Sequence, residues 1–133
     1  MSHRFALRVY YEDTDLAGIV YYANYLKFIE RARSELVREM GVDQRVLKAE
    51  AGIVFAVRHL EADYLSPARF DDQLEVETRV AGVTGARILL DQAVLRGGER
   101  LFAARVTLVA VGPEGAARIP AELRQRMAGL QES

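Results

Sequence analysis

At 133 residues, half of them apolar and 28% charged, the chain has the balance of one ordinary globular domain with material for a real core. A formal net charge of -1 with no concentrated run of Lys and Arg argues against a nucleic-acid or anionic-membrane partner. The absence of cysteine excludes disulfides and thiolate chemistry, and two histidines cannot furnish a catalytic zinc site. No run approaches the ~20 apolar residues of a membrane span, and "MSHRFALRVYYED" lacks a signal-peptide core, so a cytoplasmic protein is expected.

The first element is a strand. In "RFALRVYYED", Phe5, Leu7, Val9 and Tyr11 alternate with Arg4, Arg8 and Tyr10, the two-residue period of an extended chain. A loop runs from Asp13 to Gly18, and the period then changes. Tyr25, Phe28, Ile29, Ala32, Leu36 and Met40 recur every three or four residues, with Lys27, Glu30, Arg31, Ser34, Glu35 and Arg38 on the opposite face. That pattern predicts a long amphipathic helix. Asn24 stands where an N-cap belongs and Gly41 where a C-terminal glycine belongs. Residues 42–50 add a short helical turn before Gly52.

The two-residue period returns in "IVFAVRHLEADYL", a strand or bent strand ending at Ser66-Pro67. "LEVETRV" sets Leu74, Val76, Thr78 and Val80 against Glu75, Glu77 and Arg79. Gly82 to Gly85 reads as a turn, "ARILLDQAVLR" as a strand, Gly97-Gly98 as a hairpin turn and "RLFAARVTLVAV" as the return strand. Pro113 and Gly115 interrupt it, and Pro120 opens a terminal helix, "PAELRQRMAGL". The order is a strand, a long helix, then four strands joined as an antiparallel meander. One helix with one apolar stripe packs most simply inside a curved antiparallel sheet of about five strands, an α+β fold occupying 1–133 as a single domain. Apolar residues at both phases of the later strands predict that a second sheet or a partner subunit covers the sheet's outer face.

The chemistry concentrates near the front. "YYEDTDLAGIVYYANYLKFIERAR", from Tyr10 to Arg33, gathers more than half of the chain's aromatic residues beside Asp13 and Asp15. Serine catalysis fits poorly: no serine sits in a G-x-S-x-G turn, and Ser66, His59 and Asp63 lie along one run and do not converge. "DTDLAG" opens like a calcium loop, but Ala17 and Asn24 occupy positions that need oxygen ligands. Asp15 differs from an ordinary loop aspartate. It lies between strand and helix, Leu16, Ile19, Val20, Tyr21 and Tyr22 follow it, and the next helix start offers unpaired backbone N–H groups. A carboxylate facing such donors suits attack on an activated acyl carbonyl such as a thioester. Asp13 is assigned to shaping the loop, and the flanking Ile19, Val20 and Tyr25 to walling an acyl slot and docking the helix.

That stretch resembles the signature of the 4-hydroxybenzoyl-CoA thioesterase-type hotdog family, and within it the Tol-Pal-associated acyl-CoA thioesterases. "VRHLEADYLSPARFDDQLEVET" and "RIPAELRQRM" are similar to that group as well, so the resemblance spans nearly the whole chain. It implies the hotdog fold, a curved antiparallel sheet around one long helix. By position it makes Asp15 the catalytic aspartate, as nucleophile or as base for water. It makes Gly18 the loop glycine, Tyr22 the residue whose backbone N–H faces the thioester carbonyl, and Glu30 a recurring helix acid. Many Tol-Pal-associated members have histidine at the Tyr22 position; tyrosine there is similar to the 4-hydroxybenzoyl-CoA branch. The basic cluster which that branch uses to grip nucleotide phosphates is reduced here to Arg87, with Arg58 and Arg69 as the other candidates for holding CoA.

The expected function is hydrolysis of short- to medium-chain or aromatic acyl-CoA. Coenzyme A, or an acyl carrier protein in its place, is then part of the substrate, and no separate cofactor or metal is called for. The alternative is an acyl-CoA or acyl-carrier-protein binding module with vestigial hydrolysis, serving a partner complex. Open sheet edges predict a homodimer or homotetramer.

Overall fold

A computed structural model describes residues 2–131. A strand, β1 (Ser2–Arg8), leads through a 3-10 turn at Tyr11–Asp13 into the long helix α1 (Asn24–Glu39) and a shorter α2 (Gln44–Ala51). Four long strands follow: β2 (Val54–Tyr64), β3 (Gln73–Val83), β4 (Arg87–Arg96) and β5 (Glu99–Gly112). A short β6 (Gly115–Ala117) and a terminal helix α3 (Ala121–Leu130) complete the order.

The helix forms for the reason its spacing implies. Tyr25, Phe28, Ile29, Ala32, Leu36 and Val37 are buried, and they lie on one side. Gly41 takes the left-handed φ of +83° just past its end, which costs glycine little, and donates to Arg38 O at 3.0 Å. Asn24 is not the N-cap. The chain already turns at 21–23, with Asn24 N–H on Tyr21 O at 2.8 Å, so Asn24 is the first helical residue and Ala23 precedes it. Its side-chain amide donates instead to Asp13 O at 2.9 Å, tying the helix start to the loop. The helical turn expected over 42–50 is α2, capped by Asp43, whose carboxylate accepts from the N–H groups of Arg45 and Val46.

The sheet is antiparallel in the order β1-β3-β4-β5-β2, with β6 also on β5. The meander expected for four strands therefore holds only for β3, β4 and β5. β2 pairs with β5 at the far edge, and β1 takes the place beside β3. The segment 65–72 that joins β2 to β3 makes no hairpin because its hydrogen bonds are spent elsewhere. Ala68 O accepts Val20 N–H at 2.8 Å, Ala68 N–H donates to Tyr25 Oη at 3.0 Å, and Ile19 bridges Arg69. This crossover straps the front loop against the helix start. Arg96 pins the strap, donating to Asp72 Oδ2 at 2.8 Å and to Pro67 O. Gly82 belongs to β3, at a bulge, so the turn is tighter than expected, over residues 84–86.

On the face toward α1, Val76, Val80, Ile88, Leu90, Val94, Phe102 and Val106 form the core. The outward face is not the apolar surface expected. Apolar residues occur at both phases of β4 and β5, but charges interrupt the outward one. Arg4 pairs with Glu75 and Glu77, Arg79 joins Glu77, and Arg105 grips both oxygens of Asp91 at 2.8 and 3.0 Å. Ala93, in their midst, is only 2% exposed. The uncovered apolar surface lies instead around the front loop and on β2, where Tyr10, Tyr11, Leu16, Tyr22, Tyr64 and Phe70 are exposed.

Candidate active site

The loop that carries Asp15 is a small ladder. Asp15 N–H donates to Ile19 O at 2.9 Å, Thr14 bridges Val20, and Tyr21 N–H donates to Asp13 O at 2.9 Å. Gly18 closes it at φ +80°, donating to Asp15 O at 3.0 Å. The two aspartates divide the work. Asp13 is buried, its Oδ2 accepting Tyr10 N–H at 2.8 Å while its carbonyl takes two further donors. It builds the loop, as expected of it.

Asp15 is exposed. Its Oδ1 accepts Ala17 N–H at 2.9 Å, which fixes the carboxylate plane, while Oδ2 has no protein donor among the described residues. A held carboxylate with one free oxygen can act as nucleophile or base. The apolar residues after it do not dry it within a single chain: Val20 turns inward, but Leu16 is fully exposed. Nearby, the N–H groups of Tyr22 and Ala23 have no protein acceptor among the described residues. Such orphan donors at a helix start form a site for developing negative charge.

The peptide of Tyr22 is itself held. Its carbonyl accepts the Tyr64 hydroxyl at 3.0 Å, and Tyr64 packs edge-on against both Tyr25 and Phe102. Partial burial, then the neighbouring Tyr22 and Tyr25, raise the Tyr64 pKa. Tyr25 lies behind the slot and does not wall it. It is 3% exposed, stacked on Phe102 at 5.0 Å, with burial raising its pKa against the hydrogen bond from Ala68. The Tyr22 ring is exposed beside Tyr21, and Ile19 is half-buried against the strap.

The predicted phosphate holders separate. Arg58 is exposed at the bulge of β2, about 20 Å along the strand from Tyr64, and Arg87 stands opposite Val109 at the distant end of β5. Neither reaches Asp15 of the same chain. Arg69, bridged to Ile19, is the arginine beside the loop. Glu30 is exposed on α1 and accepts Ser34 Oγ–H at 3.1 Å. Sequence reasoning missed Tyr64 and Ala68, whose roles depend on the strap. It also missed Gln92, whose signal is an amide on the core-facing phase of β4, between Leu90 and Val94.

The sheet wrapped on α1, with an aspartate loop at the start of that helix, defines a class. The chain belongs to the thioesterase-like superfamily, the hotdog thioesterases, whose sequence profile matches residues 9–127. It is 46% identical over 107 residues to the acyl-CoA thioesterase YbgC of Haemophilus influenzae, covering 80% of this chain and 79% of that protein. A probable thioesterase from Bartonella henselae is 38% identical with a TM-score of 0.86, over 90% of this chain and all of that one. A mutant 4-hydroxybenzoyl CoA thioesterase, solved with 4-hydroxybenzoyl CoA, has a TM-score of 0.88 at 25% identity, covering 95% of this chain and 98% of that one. Among the described residues no helix is long and apolar enough to cross a membrane.

Proposed function

We propose that this chain is an acyl-CoA thioesterase in which Asp15 carries the reaction and the Tyr22 N–H polarises the thioester carbonyl. The observation that carries this reading is the pairing of a carboxylate oxygen left free with backbone donors left free, on one loop and the helix start it leads into. As nucleophile, Asp15 Oδ2 bonds to the carbonyl carbon and the carbonyl electrons move onto oxygen, facing Tyr22 N–H. Collapse expels the CoA thiolate and leaves an aspartyl anhydride, which water opens to the free acid and the regenerated Asp15 carboxylate, the remaining proton going to the thiolate. As base, Asp15 takes a proton from the attacking water and passes it to the departing sulfur. Both routes balance, and both need the same groups. That an aspartate-to-asparagine mutant of a structural relative was captured with its acyl-CoA supports a role for an aspartate in turnover.

The reading extends to short- and medium-chain or aromatic acyl groups, bounded by Ile19 and the Tyr22 ring, while Val20, expected to share that wall, is buried in the core. It also extends to assembly. β2 sits at a sheet edge, and the exposed aromatic surface adjoins Asp15, so a second copy closing over that end would dry the carboxylate and bring distant arginines to the CoA. A panel of acyl-CoA and acyl-carrier thioesters, assayed with wild type and Asp15→Asn, tests the chemistry. Equal rates in the two proteins would refute it. Sedimentation showing a stable monomer at micromolar concentration would refute the assembly.

A further inference from the structure

Four charges stand in one row across the outward face of the sheet. Glu61 on β2 is in register with Arg105 on β5, Arg105 with Asp91 on β4, and Asp91 with Arg79 on β3. Their signs alternate, negative, positive, negative, positive, over about 14 Å at the usual strand spacing. Glu61, Arg79 and Arg105 are exposed and Asp91 is half-buried. The adjoining row is small at its centre. Ala93 and Ala103 are register partners there, with Glu77 beyond the first and Asp63 beyond the second. They line a depression of about 300 Å³ together with Asp63, Arg100 and Arg105. At that point β4 and β5 present only methyl groups, so a second sheet can approach closely.

A row of alternating sign has a property that mixed charge in general lacks. Turned over about a two-fold axis running along the strands between β4 and β5, it becomes its own complement. Glu61 of one copy then faces Arg79 of the other, and Arg105 faces Asp91. Because Arg105 already grips both oxygens of Asp91 within its own chain, the two pairs merge into a cluster of alternating charge. Asp63 comes opposite Glu77, whose two oxygens lie against the guanidinia of Arg4 and Arg79. The other two-fold axis in the plane of the sheet, across the strands, would set every charge of the row against its own copy, which is repulsive.

We propose that this face is an interface between two copies of the chain, packed sheet on sheet about the axis along the strands. It is separate from the contact over the Asp15 end and uses none of the groups assigned to the reaction. Sedimentation of Glu61→Arg, Arg79→Glu and their equimolar mixture tests it. Each variant alone sets like charges opposite one another twice, so association through this face should weaken by about a hundredfold or more and the assembly should halve in mass. In the mixture, positions 61 and 79 again face each other with opposite sign, and the wild-type assembly should return. Recovery on mixing cannot come from chains that fail to fold. The wild-type protein gives a second reading without any substitution: its association should weaken as salt rises from about 0.05 M to about 0.5 M, because exposed pairs are screened. Single variants that assemble like wild type, a mixture that stays dissociated, or an assembly insensitive to salt would each overturn the interface.

Discussion

Two acidic regions of this molecule are in opposite states. On the outward face of the sheet, Glu75, Glu77 and Asp91 all have guanidinium partners. Asp91 is held below the usual carboxylate range by the hydrogen bond from Arg105, against an opposing burial effect. Around the front loop, one oxygen of Asp15 and the N–H groups of Tyr22 and Ala23 have no protein partner among the described residues. The outward face has more charge, and the loop has more unused hydrogen-bonding capacity. Spare capacity at a fixed geometry, and not charge density, distinguishes a site from a scaffold.

The sharpest test of that contrast sets Asp15→Asn against Asp91→Asn. The first keeps the acceptor for Ala17 N–H but removes the charge, so turnover should fall ~10²-fold or more while the melting temperature barely moves. The second should leave turnover near wild type; a comparable loss from both would erase the distinction. Asp13→Ala should act on stability first, costing about 1–3 kcal/mol in denaturant unfolding because it strips a buried acceptor from Tyr10 N–H. Asp13→Asn retains an acceptor and should lose less activity than Asp15→Asn. Tyr64→Phe removes the donor to Tyr22 O, for about 0.5–1.5 kcal/mol and a several-fold drop in kcat with KM little changed.

The strap gives a pH signature. Burial alone would lift the Asp72 carboxyl, but the hydrogen bonds from Arg69 N–H and the Arg96 guanidinium outweigh it, and the pKa lies below the usual range. A carboxyl depressed on folding contributes stability that is complete above its unfolded pKa of about 3.9 and is lost as pH falls through the folded value. The melting temperature should therefore decline on acidification below about pH 4. Asp72→Asn should melt lower at neutral pH and show a flatter acid limb; an unchanged limb would remove Asp72 from the strap's anchoring. The smallest effect belongs to the outward face, where breaking Asp91–Arg105 should cost no more than about 1 kcal/mol.

The periods of two and three-to-four residues made the strands, α1 and its buried stripe legible, because burial on one face imposes them locally. Strand order was not legible. Whether β2 lies beside β3 or β5 is decided by hydrogen bonds from residues 65–72 to Val20 and Tyr25, pairs remote in sequence. For the same reason local neighbours were enough to nominate Asp15 as a candidate, while the positions of the arginines relative to it were not legible. Arg58 and Arg87 are two strand positions whose distance from Asp15 depends on the whole sheet.

The placement of β2 also has a kinetic consequence. β3, β4 and β5 are joined by short turns and can zip locally, whereas β2 finds its strand partner, β5, across the intervening β3–β4 hairpin. Loop closure over that span should come late on the folding route, and the strap and the Tyr64 support of Tyr22 come with it. The segment that completes the Asp15 end of the molecule would then be among the first to open under native conditions. Amide hydrogen exchange should show it: slowest along β4 and the middle of β5, faster along β2 and residues 65–72. Protection of β2 equal to that of β4 in the isolated subunit would show instead that the sheet forms as one cooperative unit.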